Sequence, residues 1–342
     1  MSKPKECWVV TDGRAGIENQ ALGLAEAVAR ETDLIVTRKR IRVAAPWRSL
    51  PRLAWGDPFT RLESDGALLR APYPDLWIGC GRMSVPFTMA VKKRSPDTYT
   101  VQLQNPRAPY RAFDLIIPPA HDRVKAENAF SILGSANRIT SAKLEAGAEA
   151  LAPLIDHLPR PRVAVLIGGS NSANKVDGAQ VDRLADVLRN ALSEGAGLMV
   201  TTSRRTPEAV TEAIRRFADN DAVFQWTDDA GEASVNPYFG ILGAADHILV
   251  TEDSVNMIAE AAMTGRPVHV HRWRERRRAQ AQDKFARFLD ALRDRGVCAD
   301  FTGQFDERSY EPMNETQRAA AEVVRRWENA ISAKWRATFA AN

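Results

Sequence analysis

Short runs of β-branched and aliphatic residues alternate along the chain with stretches whose apolar positions repeat at helical spacing. In the first half, the runs at 7–11, 34–41, 76–80, 98–104 and 114–118 predict strands. Between the first two, Ile17, Ala21, Leu24, Ala25 and Val28 share one face of a helix predicted over 17–31. The rhythm restarts with strands predicted at 162–168, 197–202, 222–226, 246–251 and 267–271. Val181, Leu184, Ala185, Leu188 and Leu192 make the stripe of the helix between the first two of these. A last long helix is expected from 314 onward, with Asn314 and Gln317 as a capping box and Ala321, Val324, Trp327, Ile331 and Trp335 as its buried face. Strand–helix alternation of this kind builds parallel sheets covered by helices.

Pro159 and Pro161 stop the preceding helix and stiffen a short connector. The expected domains are an α/β lobe over 1–158, joined by the final helix over 314–342, and a second α/β lobe over 159–313. Both are expected to be doubly wound and Rossmann-like, with a cleft between them. In open parallel sheets ligands bind beyond the carboxyl ends of the strands, so the loops at those ends are the places to search.

Composition narrows the classes. A length of 342 residues suits two domains of about 150 each. With 44% hydrophobic and 26% charged residues, the chain reads as globular rather than disordered. No apolar run reaches the roughly 18 residues of a membrane span, and the stretch from Met1 to Cys7 lacks a signal-peptide core. Cys7, Cys80 and Cys298 are isolated, which gives neither a disulfide framework nor zinc spacing. A cytoplasmic protein without a bound metal or cofactor is the expectation. A net charge of +4 permits an anionic ligand or a membrane surface without requiring either.

Four loops carry candidate chemistry. Asp12, Gly13, Arg14 and Gly16 follow the first strand, where two glycines allow a tight turn and a helix amino end favours an anion. The spacing is not that of a dinucleotide fingerprint. Gly168, Gly169, Ser170 and Asn171 open the second half with exposed N–H donors suited to phosphate, without the lysine of a Walker loop. Ser203, Arg204 and Arg205 place two guanidinium groups at a strand end, fit for a diphosphate. Thr251, Glu252, Asp253, Ser254 and Asn256 bridge a strand and a helix, and Glu260, about two turns on, is placed to accept from ribose hydroxyls. The first two loops also read as plain turns without a ligand, the arginine pair as solvated surface, and Glu260 as a residue on a helix face.

The segment from Ala244 to Ala261, ending in Gly265-Arg266-Pro267-Val268, resembles the nucleotide-sugar half of GT-B glycosyltransferases. It is most similar to the lipid-linked N-acetylglucosaminyl transferase of cell-wall synthesis and to lipid-A disaccharide synthase. Thr11 to Gln20, Val101 to Arg107, Phe113 to Asp122 and Gly168-Gly169-Ser170 resemble the mitochondrial-fission family named for elongated mitochondria in plants. That resemblance implies a GT-B-like fold and, for bacterial members, a nucleotide-sugar enzyme; the alanine- and arginine-rich composition points to a bacterial chain. The glycosyltransferases carry a His in the first glycine loop where this chain has Ile17-Glu18-Asn19-Gln20. Asp12 and His121 are therefore the candidates for the catalytic base.

The resulting expectation is metal-independent glycosyl transfer from a nucleotide diphosphate sugar, the donor being a substrate rather than a cofactor. Epimerisation of the nucleotide sugar is the first alternative. It would need acid/base groups, and among the five histidines His121, His269 and His271 lie near predicted strand ends. A non-catalytic nucleotide-sugar-binding scaffold is the second. The run from His271 to Arg278 and the aromatic stretch with Trp47 and Trp55 are candidate docking faces for a lipid-linked acceptor at the inner face of the cell membrane. No nucleic-acid-binding module surrounds them. Both also read as solvated or core-covering surface. Asp219-Asn220-Asp221 reads as a solvated turn rather than a metal-binding DxD.

Overall fold

The structure is a computed structural model that describes residues 4–63, 69–169, 176–227, 236–273 and 284–340. It divides into two compact units, Met1–Arg138 with Asn314–Asn342, and Ile139–Met313. Among the described residues the named strands form two sheets in which every paired strand runs parallel.

In the first unit β1 (Lys5–Thr11), β2 (Leu34–Arg40), β3 (Leu76–Cys80), β4 (Tyr99–Leu103) and β5 (Leu115–Ile117) lie in the order β2-β1-β3-β4-β5. The order reverses between β1 and β3, which makes that point the sheet's natural ligand crevice. Residues alternate between the two faces, as strand geometry requires. Cys7 and Val9 point to one core with Ile78 and Val101; Trp8 and Val10 point to another with Trp55, Trp77 and Phe87. The first core is covered by α1 (Ala15–Glu31) through Ala21, Leu24, Ala25 and Val28, and by α9 (Glu315–Ala340). Burying Leu24 and Val28 contributes about 2 kcal/mol each. A Cβ on Gly23 would collide with the Asn137 backbone, so glycine lets the chain cross α1 closely.

Helix α9 departs in part from the expected register: Trp327 is buried and Val324 and Ile331 pack half-buried against the core, as expected, but the centre of the face is shifted. Its buried face is Thr316, Ala319, Ala320, Val323 and Trp327, while Ala321 is exposed and Trp335 is 62% exposed. Small residues form this face because the helix packs against α1, and close packing favours alanine over bulk. Nor does Gln317 reach back to cap: its side chain bonds Arg30 and Glu31. Thr316 Oγ1 accepts from Asn137 N at 3.0 Å and Glu315 from Leu133 N at 2.6 Å, which pins the start of the helix instead. Trp55 is fully buried in the second core, so it cannot serve a docking face; Trp47 and Phe59 are half-buried against the same core.

In the second unit β6 (Arg162–Ile167), β7 (Gly197–Thr202), β8 (Val223–Trp226), β9 (His247–Thr251), β10 (Val268–His271) and β11 (Cys298–Asp300) lie in the order β11-β10-β9-β6-β7-β8. Counted from its own first strand this is the Rossmann order 3-2-1-4-5-6, with its reversal between β6 and β9. Helix α4 (Gly178–Ser193) buries Leu184, Leu188 and Ala191, and α5 (Glu208–Arg215) buries Val210 and Ile214. Asp177 caps α4 reciprocally with Gln180, each side chain accepting from the other's backbone N–H. Helix α3 (Ser141–Ile155) belongs to this unit because it packs on α6 (Tyr238–Gly243). The contact boundary therefore falls before α3, whereas the proline pair that suggested the seam follows it. Among the described residues no helix is long and apolar enough to cross a membrane.

Candidate functional site

The loops after β6, β7 and β9 converge at the reversal point of the second sheet. Thr206 Oγ1 donates to Gly168 O at 2.6 Å, tying the β7 loop to the β6 loop, and Gly169 lies against the Arg205 backbone with no room for a Cβ. Gly168 N donates to Thr251 Oγ1 at 2.8 Å and Gly169 N to Asp253 Oδ2 at 2.7 Å. The first two N–H groups expected to cradle phosphate are thus committed to the protein. Ser170 and Asn171 lie outside the described residues.

Asp253 is the knot of this arrangement. Its side chain is fully buried, it accepts from Trp273 Nε1 at 2.8 Å as well as from Gly169, and Arg205 stands 3.7 Å away. Glu252 accepts from Trp273 N and Arg272 Nη1, each at 3.0 Å, and Arg272 also pairs with Asp300 at 2.8 Å. Trp273 is only 1% exposed, so the docking role read from the His271–Arg278 run fails for its aromatic member; residues 274–278 lie outside the described residues. Ser254 caps α7 (Val255–Ala261), accepting from Met257 N at 3.4 Å, and Asn256 sits half-buried in the first turn. Ser203 is half-buried beside Thr206, whereas Arg204 and Arg205 are exposed at the surface of the converged loops.

Glu260 is held by a residue that the sequence reading did not single out. Tyr238 Oη, at the start of α6, donates to Glu260 Oε2 at 2.7 Å. No motif spacing announces this pair, since the two residues stand on separate helices. Burial pushes the Glu260 carboxyl up to about 7, against the hydrogen bond from Tyr238, which lowers it; burial also pushes the Tyr238 phenol well up. A carboxyl raised in the fold favours low pH: its contribution is complete below the unfolded value near 4.5 and is lost as pH rises through about 7. Denaturation midpoints of the parent and Glu260→Gln, followed from about pH 5 to pH 8, should show the parent losing ground to the variant over that window. Parallel profiles would reject the buried-carboxyl assignment.

His247, His269 and His271 of this unit are placed for packing. His269 sits in the first half of β10, 3.4 Å from His247 and beneath Phe301 and Phe305, away from the carboxyl edge. Burial lowers it to about 4. His271 ends β10 but stacks edge-on against Trp273, and burial with the nearby Arg183 charge lowers it to about 4. Asp219, Asn220 and Asp221 are exposed, and Asn220 closes the turn by accepting from Ala222 N at 2.9 Å. Among the described residues no group of three or more His, Cys, Asp or Glu side chains could hold a metal ion.

The first unit keeps its two candidate bases apart. Asp12 follows β1 and His121 follows β5, three strand spacings away, or about 14 Å across the sheet. They do not form a dyad. Asp12 is ion-paired with Arg14, whose Nε lies 2.9 Å from its carboxylate, and Gly13 between them turns at φ +78°. Gly16 is exposed in the first turn of α1. His121 is buried in a short 3-10 turn, 120–122. In the stretch where the resembling glycosyltransferases carry a His, Glu18 is buried and gripped by Arg40 at 2.7 Å through both oxygens and by Arg38 at 3.2 Å. The Arg40 hydrogen bonds hold it below the usual carboxylate range, so it is a fixed anion rather than a base. Gln104, at a left-handed φ of 67°, donates to Gln20 at 3.1 Å.

Two doubly wound parallel units of this kind define a GT-B-like α/β protein. UDP-GlcNAc 2-epimerase from Methanocaldococcus jannaschii has a similar fold, with a TM-score of 0.57, 10% identity, and 94% of this chain and 98% of that chain covered. Its complex with UDP-GlcNAc and UDP gives a TM-score of 0.54 at 11% identity over the same shares. The family model described as Mitochondrial fission ELM1 matches residues 15–327, and the chain belongs to that family. It is 30% identical over 296 residues to the mitochondrial fission protein ELM1 of Arabidopsis thaliana; the match covers 77% of this chain but spans only 64% of the length of the plant protein. An uncharacterized protein of Rickettsia prowazekii (strain Madrid E) is 25% identical over 355 residues, covering 93% of this chain and 97% of its relative.

Proposed function

We propose that the second unit binds a nucleoside diphosphate sugar at the reversal point of its sheet and that the protein transfers the sugar to an acceptor hydroxyl. The observation that carries this reading is the convergence of the β6, β7 and β9 loops, with Arg204 and Arg205 on the exposed side of them. Those guanidinium groups would pair with the diphosphate and take up the charge that develops as it departs. Glu260 would accept from the ribose hydroxyls. Asp12 or His121 would take the acceptor proton as the hydroxyl oxygen attacks the anomeric carbon and the bond to the diphosphate breaks. The donor class is supported by the fold relative solved with UDP-GlcNAc and UDP. A lipid-linked acceptor at a membrane surface remains part of this proposal, as does a cytoplasmic setting.

That same relative supports epimerisation as the second reading, in which the sugar inverts at a ring carbon without leaving the nucleotide. Calorimetry with a panel of nucleoside diphosphates and their sugars tests the binding step. Arg204→Ala and Glu260→Ala should each weaken the best ligand by about 1–3 kcal/mol; unchanged affinity in both would move the site elsewhere. NMR of the products then separates the chemistries. Free nucleoside diphosphate formed only with an acceptor indicates transfer, an inverted sugar still on its nucleotide indicates epimerisation, and a bound but intact nucleotide sugar indicates a scaffold.

A further inference from the structure

At the amino edge of the first unit's sheet, away from the loops described above, lies a cavity of about 370 Å³. It is half open to solvent and bordered by the last turns of α2 (Val85–Arg94), the start of β4 and the carboxyl-terminal half of α9. Trp327, Ile331 and Trp335 stand four residues apart, so they stack along one side of α9 and form its apolar wall with Ala330. Trp327 is buried at the base and Trp335 is exposed at the rim. The volume lies within the range of small-molecule sites, which combine an apolar lining with a few convergent polar groups.

The charged groups are two lysines and two aspartates, Lys92, Lys334, Asp97 and Asp114, and Tyr99 adds a hydroxyl. Tyr99 is 7% exposed, belongs to the core that faces α9, and its hydroxyl has no hydrogen-bond partner among the described residues. Burial and the Asp114 charge push its phenol up, which keeps it a donor. Lys92 is paired with Asp114, whose other oxygen accepts from Thr100 N at 2.9 Å and Thr100 Oγ1 at 2.7 Å, so that pair is fixed. Lys334 is held differently. It bonds Pro96 O and reaches Asp97 at 3.1 Å, but the Asp97 side chain is 96% exposed. An ion pair so open to solvent contributes little and exchanges readily for another anion.

We propose that this cavity binds a small carboxylic acid with an apolar body, aromatic or medium-chain aliphatic. Its carboxylate would accept from the Tyr99 hydroxyl and from Lys334, and its body would lie against Trp327, Ile331 and Trp335. The site shares no residue with the nucleotide-sugar reading and stands or falls separately from it.

Calorimetry of the full chain with decanoate and with 3-phenylpropionate tests the proposal. One of the two acids should bind with a single site, and Tyr99→Phe and Lys334→Ala should each weaken it about tenfold. Ala330→Trp, which fills the cavity from a half-buried position on α9, should abolish binding. Absence of binding by both acids, or affinity that survives Ala330→Trp, overturns the proposal. So does tighter binding of tetramethylammonium, because an aromatic cage for a cation would then be the correct reading. Should Ala330→Trp fail to fold, the Tyr99 and Lys334 variants decide the outcome, since both substitutions remove a polar head without adding volume.

Discussion

Asp253→Ala should destabilise the protein by about 3–5 kcal/mol, because it strips the acceptor from two buried donors and each orphaned donor costs about 1–3 kcal/mol. The donors are Gly169 N and Trp273 Nε1, at 2.7 and 2.8 Å from a carboxylate with no solvent exposure. The β6 loop would lose its anchor at the same time, so affinity for any ligand at the converged loops should fall with stability. Chemical denaturation monitored by tryptophan fluorescence reads the effect directly. A loss below about 1 kcal/mol would mean that water replaces the carboxylate and that the side chain is not the anchor described. Gly168→Ala should act by the same route, since a Cβ there would displace the Asp253 carboxylate itself.

The second large effect is expected where α3 crosses α6. A Cβ on Gly240 would lie 2.5 Å from Gly147 O and 2.9 Å from Leu151 Cβ, and one on Gly147 would lie 2.7 Å from Gly240 N. Backbone atoms cannot rotate away as a side-chain tip can. Gly240→Ala and Gly147→Ala should therefore each cost about 3 kcal/mol, the upper end for overpacking. Gly178 is the matched control. It opens α4 with nothing near its Cβ position, so Gly178→Ala should be neutral or stabilising by up to about 1 kcal/mol. Equal effects at all three positions would show that helix propensity, not the crossing, governs them.

These sites mark where the sequence was readable and where it was not. Strands such as β3 and β6 are buried at every position, so continuous apolar runs disclose them to within a residue or two. Their order in the sheet is not disclosed, because each crossover is set by packing on the finished sheet. Helix α3 carries an apolar stripe of Leu144, Ala148, Leu151 and Ile155, but its close crossing with α6 rests on Gly147 and Gly240, which hydrophobic periodicity does not score. The centre of the α9 face was missed for a related reason: Ala319 and Ala320 carry the contact with α1, whereas periodicity is scored on bulk. In the candidate site, glycine and arginine at strand ends were legible as chemistry. That the Asp253 carboxylate takes the Gly169 N–H was not, since Asp253 is brought to Gly169 only by the adjacency of β6 and β9.

The last helix gives the chain an unusual order of assembly. α9 supplies Ala319, Ala320, Val323 and Trp327 to a core otherwise built by the first 138 residues. During synthesis, at about 5–20 residues per second, the amino-terminal sheet waits with one face only partly covered, by α1, until all of the second unit has left the ribosome. The second unit, continuous in sequence, can finish folding first. Newly made protein is therefore most vulnerable to sticking and to chaperone capture in the interval before α9 arrives, and lesions that delay or shorten that helix should lower yield without touching any functional group.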